Sequence, residues 1–225
     1  MTFSISARCE RTGMLGVAVA SSSPCVAARC AHVRAGAGAV STQNITDPRL
    51  GPRGLDLMAA GLPAEAAMER LKAEAPHLDY RQIALVDGGG GTAHFSGART
   101  LGIHHAAAGG GVVAAGNLLS SKKVPEAMVA AFDRSAGLPL GDRLIAAMQA
   151  ALEAGGEAGP VHSAGMLLAR EVPWPVADLR VDWTEDCPVA ALGALWRRWA
   201  PEMDAYVTRA LDPSAAPSYG VPGDL

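Results

Sequence analysis

Thr2 follows Met1 directly and opens an alternating segment, Thr2-Phe3-Ser4-Ile5-Ser6-Ala7. Threonine is small enough for a methionine ahead of it to be removed. Removal leaves one residue carrying both a hydroxyl and a free α-amine. An α-amine titrates at about 7.7–8.0, so much of it is a neutral base near neutral pH. Nucleophile and general base then come from the same residue, the N-terminal-threonine form of covalent catalysis. Many chains begin Met-Thr without such a role, so the decision passes to where the fold puts this segment.

Two further segments end in hydrogen-bonding groups. Gly38-Ala39-Val40-Ser41-Thr42-Gln43-Asn44 and Val112-Val113-Ala114-Ala115-Gly116-Asn117 both run from apolar residues into amides. Amides buried at a strand end cost desolvation unless they are paired. Such ends suit substrate contacts or an oxyanion donor, because a side-chain N–H can hold developing negative charge. Asn117 taken alone is equally a turn-forming residue.

Other reactive types offer less. Cys9, Cys25, Cys30 and Cys187 match neither CxxC nor a paired zinc spacing and are expected as free thiols. The glycine runs 88–91 and 109–111 open no helix with a Lys-Ser/Thr, so they predict turns rather than a phosphate cradle. His94 and the His104-His105 pair are a weak metal candidate, since adjacent strand residues face opposite sides. HExxH and GxSxG do not occur. No metal and no cofactor are expected.

The elements that must position these groups follow from composition and pattern. Of 225 residues, 49% are hydrophobic and 18% charged, which describes a folded chain with a core rather than a disordered one. A net charge of −3 without a long basic run disfavours nucleic acid. No apolar stretch reaches membrane-spanning length, and no charged start leads into an apolar signal segment, so no membrane partner is expected and the cytoplasm is. Strands are predicted at 2–8, 15–21, 36–43, 82–86, 92–96, 100–105, 112–118, 163–170 and 177–181. Helices are predicted at 54–60, 63–75, 125–135, 140–154 and 189–211, the last interrupted at Pro201. Residues 1–212 form one domain on this reading, and 213–225 a Pro/Gly/Ser-rich tail. Strands and helices come in groups, which argues against a doubly wound parallel sheet. Paired helices outside two stacked antiparallel sheets satisfy the pattern, an α+β four-layer α-β-β-α sandwich.

Several segments resemble one family. Thr2-Phe3-Ser4-Ile5, Gly16-Val17-Ala18-Val19-Ala20-Ser21, Gly38-Ala39-Val40-Ser41-Thr42-Gln43 and Gly51-Pro52-Arg53-Gly54-Leu55-Asp56-Leu57 come first. Gly116-Asn117-Leu118-Leu119, Ala154-Gly155-Gly156, Ser163-Ala164 and Asp178-Leu179-Arg180-Val181-Asp182 follow. In that order over residues 2–200 the chain resembles domain-of-unknown-function family 1028. The resemblance implies the sandwich of the N-terminal-nucleophile hydrolases, which mostly cleave amide bonds, with Thr2 at the nucleophile's position. Two segments depart from it. Where the family often has Gly-Gly-Asp and then Arg-Gly-x-Gln-Ser-Ala, this chain has Gly156-Glu157-Ala158-Gly159-Pro160-Val161-His162-Ser163-Ala164. Where Asp-Leu-Arg-Val-Asp is commonly followed by Asp/Asn-His, it has Trp183-Thr184. The proteasome-type lysine does not transfer either, for Lys72, Lys122 and Lys123 lie in no early strand.

The resulting expectation is an amide hydrolase acting on a small-molecule amide or peptide. Thr2 attacks; Asn117 or the Gln43/Asn44 strand end binds the oxyanion; Ser21, Thr42 and Arg53 orient substrate. The rival is a non-catalytic small-molecule-binding or assembly protein on the same fold. A homodimer is expected, with Leu192, Leu195, Trp196 and Trp199 as a candidate apolar contact.

Overall fold

Alternation in the first strand decides the layering. In the computed structural model, which describes residues 1–223, β1 (Thr2–Arg8) sends Phe3, Ile5 and Ala7 into one core. Thr2, Ser4 and Ser6 face the other way, where Ser4 Oγ donates to Ser41 Oγ of a second sheet at 3.0 Å. Small polar residues on one face and large apolar ones on the other let a strand sit between two different surroundings.

The chain continues through β2 (Leu15–Ser21), α1 (Ala27–Cys30), β3 (Ala31–Arg34), β4 (Gly38–Asn44), α2 (Leu50–Ala59) and α3 (Ala64–Glu74). Then come β5 (Arg81–Asp87), β6 (Thr92–Ser96), β7 (His105–Gly109), β8 (Val112–Asn117), α4 (Lys123–Arg134) and α5 (Leu140–Glu153). The order closes with β9 (Ser163–Ala169), β10 (Ala177–Val181), α6 (Pro188–Trp199) and α7 (Met203–Leu211).

Every strand pairing is antiparallel. One sheet has the order β10-β9-β2-β1-β8-β7, the other β3-β4-β5-β6. Helices α4, α5 and α6 cover the six-stranded sheet with Met128, Phe132, Leu144, Met148 and Trp196. Helices α2 and α3 cover the four-stranded one, packing Leu55, Met58 and Leu71 on Val40, Ile83 and Leu85. Between the sheets lies a third core of smaller residues, among them Val17, Val19, Ala39, Ala84, Val86, Val113 and Ala115. The layers therefore run α-β-β-α, as the grouping of elements predicts. No helix among the described residues is long and apolar enough to cross a membrane.

Local chemistry fixes the close contacts. At Gly16 a Cβ would come within 2.7 Å of Leu168 and 2.8 Å of Leu144, so only glycine lets α5 approach β2 this closely. Asp87 binds the turn after β5 through Gly89 N and Gly91 N, and its other oxygen accepts from Ala64 N at the start of α3.

Two expectations need correction. The stretch 22–35, where no element is predicted, holds α1 and the edge strand β3, which are too short to show a period. Of the strand expected at 100–105, residues 100–104 are loop, with Leu101 and Ile103 exposed, and the strand, β7, begins at His105. Its centre, Ala106-Ala107-Ala108, carries no alternation to read. The stripe on α6 divides: Leu192 and Trp196 are core, Trp199 stacks on Tyr206 of α7, and Leu195 is exposed.

Leu144 is fully buried under β2. Leu144→Ala should lower the unfolding free energy by about 2–5 kcal/mol in denaturant titrations. A loss under 1 kcal/mol would mean that α5 is not seated on β2 as described.

Candidate functional site

Antiparallel registry gathers the polar strand ends at one end of the sandwich. Thr2 lies opposite Asn117, Ser21 opposite Ser163, and Gln43 opposite Gln82. All six face the space between the sheets, and all are nearly or wholly buried, Thr2 at 6% exposure. They form a polar seam at the edge of an otherwise apolar inter-sheet core.

Gln82 ties the seam together. Its Oε1 accepts from Gln43 Nε2 at 2.8 Å and from Asn117 Nδ2 at 3.1 Å. Its Nε2 donates to Gly116 O at 2.9 Å and to Ser96 Oγ at 3.0 Å. One side chain of the four-stranded sheet thus holds both the backbone and the side-chain amide at the end of β8. The Asn117 amide has two N–H groups, and Gln82 engages one of them.

Thr2 Oγ1 lies 3.3 Å from Ser21 Oγ, and both hydroxyls donate to the carbonyl oxygen of Met1. Ser21 Oγ in turn is 2.8 Å from Ser23 Oγ and accepts from Ser23 N. Ser163 Oγ donates to Ser23 O and accepts from Val26 N, which fixes the turn after β2.

Glu157 closes the seam from outside. Gly155 and Gly156, both at positive φ (+106° and +58°), turn the chain after α5. Residue 157 then bridges to Leu119 just beyond β8. The Glu157 carboxyl is buried; Oε2 accepts from Ser22 N at 3.2 Å and Oε1 has no hydrogen-bond partner. Burial pushes this carboxyl up to about 7, against the opposing pull of the Met1 amino group and the Ser22 hydrogen bond.

Of the seven residues expected at the site, Thr2, Ser21, Gln43 and Asn117 meet there. Thr42 does not: alternation turns it to the helix side of β4, where Oγ1 lies 3.4 Å from Asp47 O. Arg53 is on the outer helix layer, ion-paired with Glu74 at 2.9 Å. Asn44 sits at φ +78° on the rim, with Nδ2 donating to Tyr80 O and Oδ1 accepting from Leu101 N, so both ends of its amide hold loops. Gln82 and Glu157 were absent from the expectation. Gln82 was legible as the inward position in register with Ala84 and Val86; Glu157 lies in no strand and carried no periodic signal.

The two departures from the family pattern touch each other. His162 and Trp183 stack with ring centroids 4.4 Å apart, and His162 Nδ1 is 2.9 Å from Thr184 O. His94, His104 and His105 do not converge: His104 contacts Gly102 O and His105 faces Glu126. Among the described residues no group of three His, Cys, Asp or Glu is arranged to hold a metal ion. Two surface clefts, of about 530 Å³ beside α4 and α5 and about 520 Å³ along α6 and α7, are lined by none of the seam residues.

The chain matches the model of the family of unknown function DUF1028 over residues 2–192. The crystal structure of protein SPO2555 from Silicibacter pomeroyi, of the DUF1028 family, superposes with a TM-score of 0.81 at 32% identity, covering 88% of each chain. Anbu, an ancestral beta-subunit from Yersinia bercovieri, gives a TM-score of 0.38 at 13% identity over 91% of this chain and 97% of that one, too slight a likeness to compare sites. No curated protein matches the chain.

A carboxyl raised from an ordinary 4.5 to about 7 favours the fold only while protonated. That contribution is present below about 4.5 and is lost as pH rises through about 7. The lost amount is up to about 3 kcal/mol. Glu157→Gln should therefore match the wild type at pH ~4.5 and exceed it in denaturant stability at pH ~8. A difference independent of pH would remove the buried carboxylate from this description.

Proposed function

The chain belongs to the family of unknown function DUF1028, and on that premise we propose that it is an N-terminal-nucleophile amide hydrolase, active once Met1 is removed. One observation carries the reading. Thr2, next to the amino terminus, begins a strand held centrally between β2 and β8, with its hydroxyl in a buried polar seam. A nucleophile so placed has fixed neighbours on every side, which is what orientation requires.

The freed Thr2 amine takes the proton from Oγ1 as Oγ1 adds to the substrate carbonyl carbon. The resulting oxyanion is held by the second N–H of Asn117, preorganised by Gln82. The amine then delivers its proton to the leaving nitrogen as the C–N bond breaks, giving an acyl-threonine ester and a free amine. Water, deprotonated by the same amine, cleaves the ester and returns the carboxylic acid and the Thr2 hydroxyl. Ser21 Oγ, 3.3 Å from Thr2 Oγ1, orients the nucleophile.

A second reading, a ligand-binding protein without chemistry, is favoured by the burial of the Thr2 hydroxyl against the Met1 carbonyl. Covalent labelling separates the two. Protein whose intact mass lacks Met1 should add one equivalent of a β-lactone at Thr2, and Thr2→Ala should add none. Unlabelled Thr2 in such protein would favour the binder. On a turned-over amide, Asn117→Ala should lower kcat by roughly 100- to 1,000-fold, about 2.7–4 kcal/mol of barrier. An unchanged kcat would take the oxyanion role away from Asn117.

A further inference from the structure

Met1 lies in the seam as a bound acyl group would. Its carbonyl oxygen accepts from the hydroxyls of Thr2 and Ser21. Its amino group acts electrostatically on the Glu157 carboxyl. Its side chain passes Gly159, where a Cβ would come within 3.1 Å of Met1 Cε and 3.7 Å of Sδ. The carbonyl and the slim side chain are thus received by separate parts of the protein, while the α-ammonium lies within electrostatic reach of Glu157 without pairing with it.

Glu157 needs such a guest. It is 5% exposed, Oε1 has no partner, and Oε2 holds a single backbone N–H. Among the described residues no Lys, Arg or His side chain forms an ion pair with it. A buried carboxylate with an empty acceptor is unfavourable until a cation or a donor completes it.

We propose that the volume Met1 vacates is the acyl subsite and that it selects α-aminoacyl amides. The substrate's free α-ammonium binds Glu157, its carbonyl carbon lies against Thr2 Oγ1 with the oxygen toward the free N–H of Asn117, and an unbranched side chain lies along Gly159. An acyl group on Thr2 Oγ1 stays within the same residue's reach of all three. The turnover of such substrates rests on the hydrolase reading, but their binding does not. N-acylation removes the ammonium and leaves Glu157 unpaired, so acylated analogues are rejected about 10- to 100-fold.

The test uses the full chain released from a ubiquitin fusion, so that it begins at Thr2, with its mass verified. Methioninamide, N-acetylmethioninamide and glycinamide are titrated at pH ~7 by NMR, and ammonia release is followed in parallel. Methioninamide should bind at least about 10-fold more tightly than its acetylated form. Glu157→Gln, isosteric and checked for native melting, should erase that preference. Gly159→Val should weaken methioninamide and spare glycinamide. Equal affinities, a preference for the acetylated form, or no saturable binding of either would overturn the subsite, and the first comparison needs no variant. Preferential binding with no ammonia released and no acylation of Thr2 would sink the hydrolase reading while leaving the subsite standing. Turnover of amides without regard to the α-ammonium would do the reverse.

Discussion

Gln82 is the interaction on which the site end of the sandwich depends. Two antiparallel sheets packed through small apolar residues have little to fix their ends in register, because dispersion contacts between alanines and valines are weak and non-directional. A buried amide with four satisfied hydrogen bonds is directional. Gln82 reaches from the four-stranded sheet to both the Gly116 carbonyl and the Asn117 amide of the six-stranded one. Both groups are buried, where polar atoms need partners. The same bonds that lock the sheets together therefore aim Asn117, and with it the space in front of Thr2.

The seam is not fully satisfied, and the exceptions are informative. Gln43 Oε1 and Glu157 Oε1 have no partners although both residues are buried. Networks of this kind are rigid where complete and demanding where incomplete. Of the two, the Glu157 carboxyl lies within electrostatic reach of the Met1 amino group. A carboxyl with its proton held near neutral pH, beside an amino terminus, is the sort of group that responds to what enters.

The coupling of His162 to Trp183 gives physical sense to two departures that are 21 positions apart in the chain. A histidine alone at 162 would lose the hydrogen-bonding reach of the amide common there in the family. A tryptophan alone at 183 would leave a large ring in water. Stacked at 4.4 Å, each ring covers one face of the other, and the other face of Trp183 stays toward solvent.

The layer order was readable because it rests on local signals: period-two alternation, glycine and proline boundaries, and helices grouped by twos. Gln43 and Asn117 were readable for the same reason, as amides ending apolar runs, and Thr2 was readable from its place behind Met1. Thr42 was misplaced by one position, which on a strand is the difference between the two faces. Arg53 was misplaced because a family motif says nothing of which side of a helix an arginine takes; Glu74 decided that. Glu157, and the partners of Gln82, became visible only with the fold. Gln82 matters through partners 34 and 35 residues away, on another sheet. Glu157 matters because folding buries it beside the amino terminus. The sequence by itself determined which strands are buried and where their polar ends fall, since both follow from neighbours along the chain. Only the tertiary structure decided which ends meet and which carboxyl loses its water, since burial is a property of the packed whole.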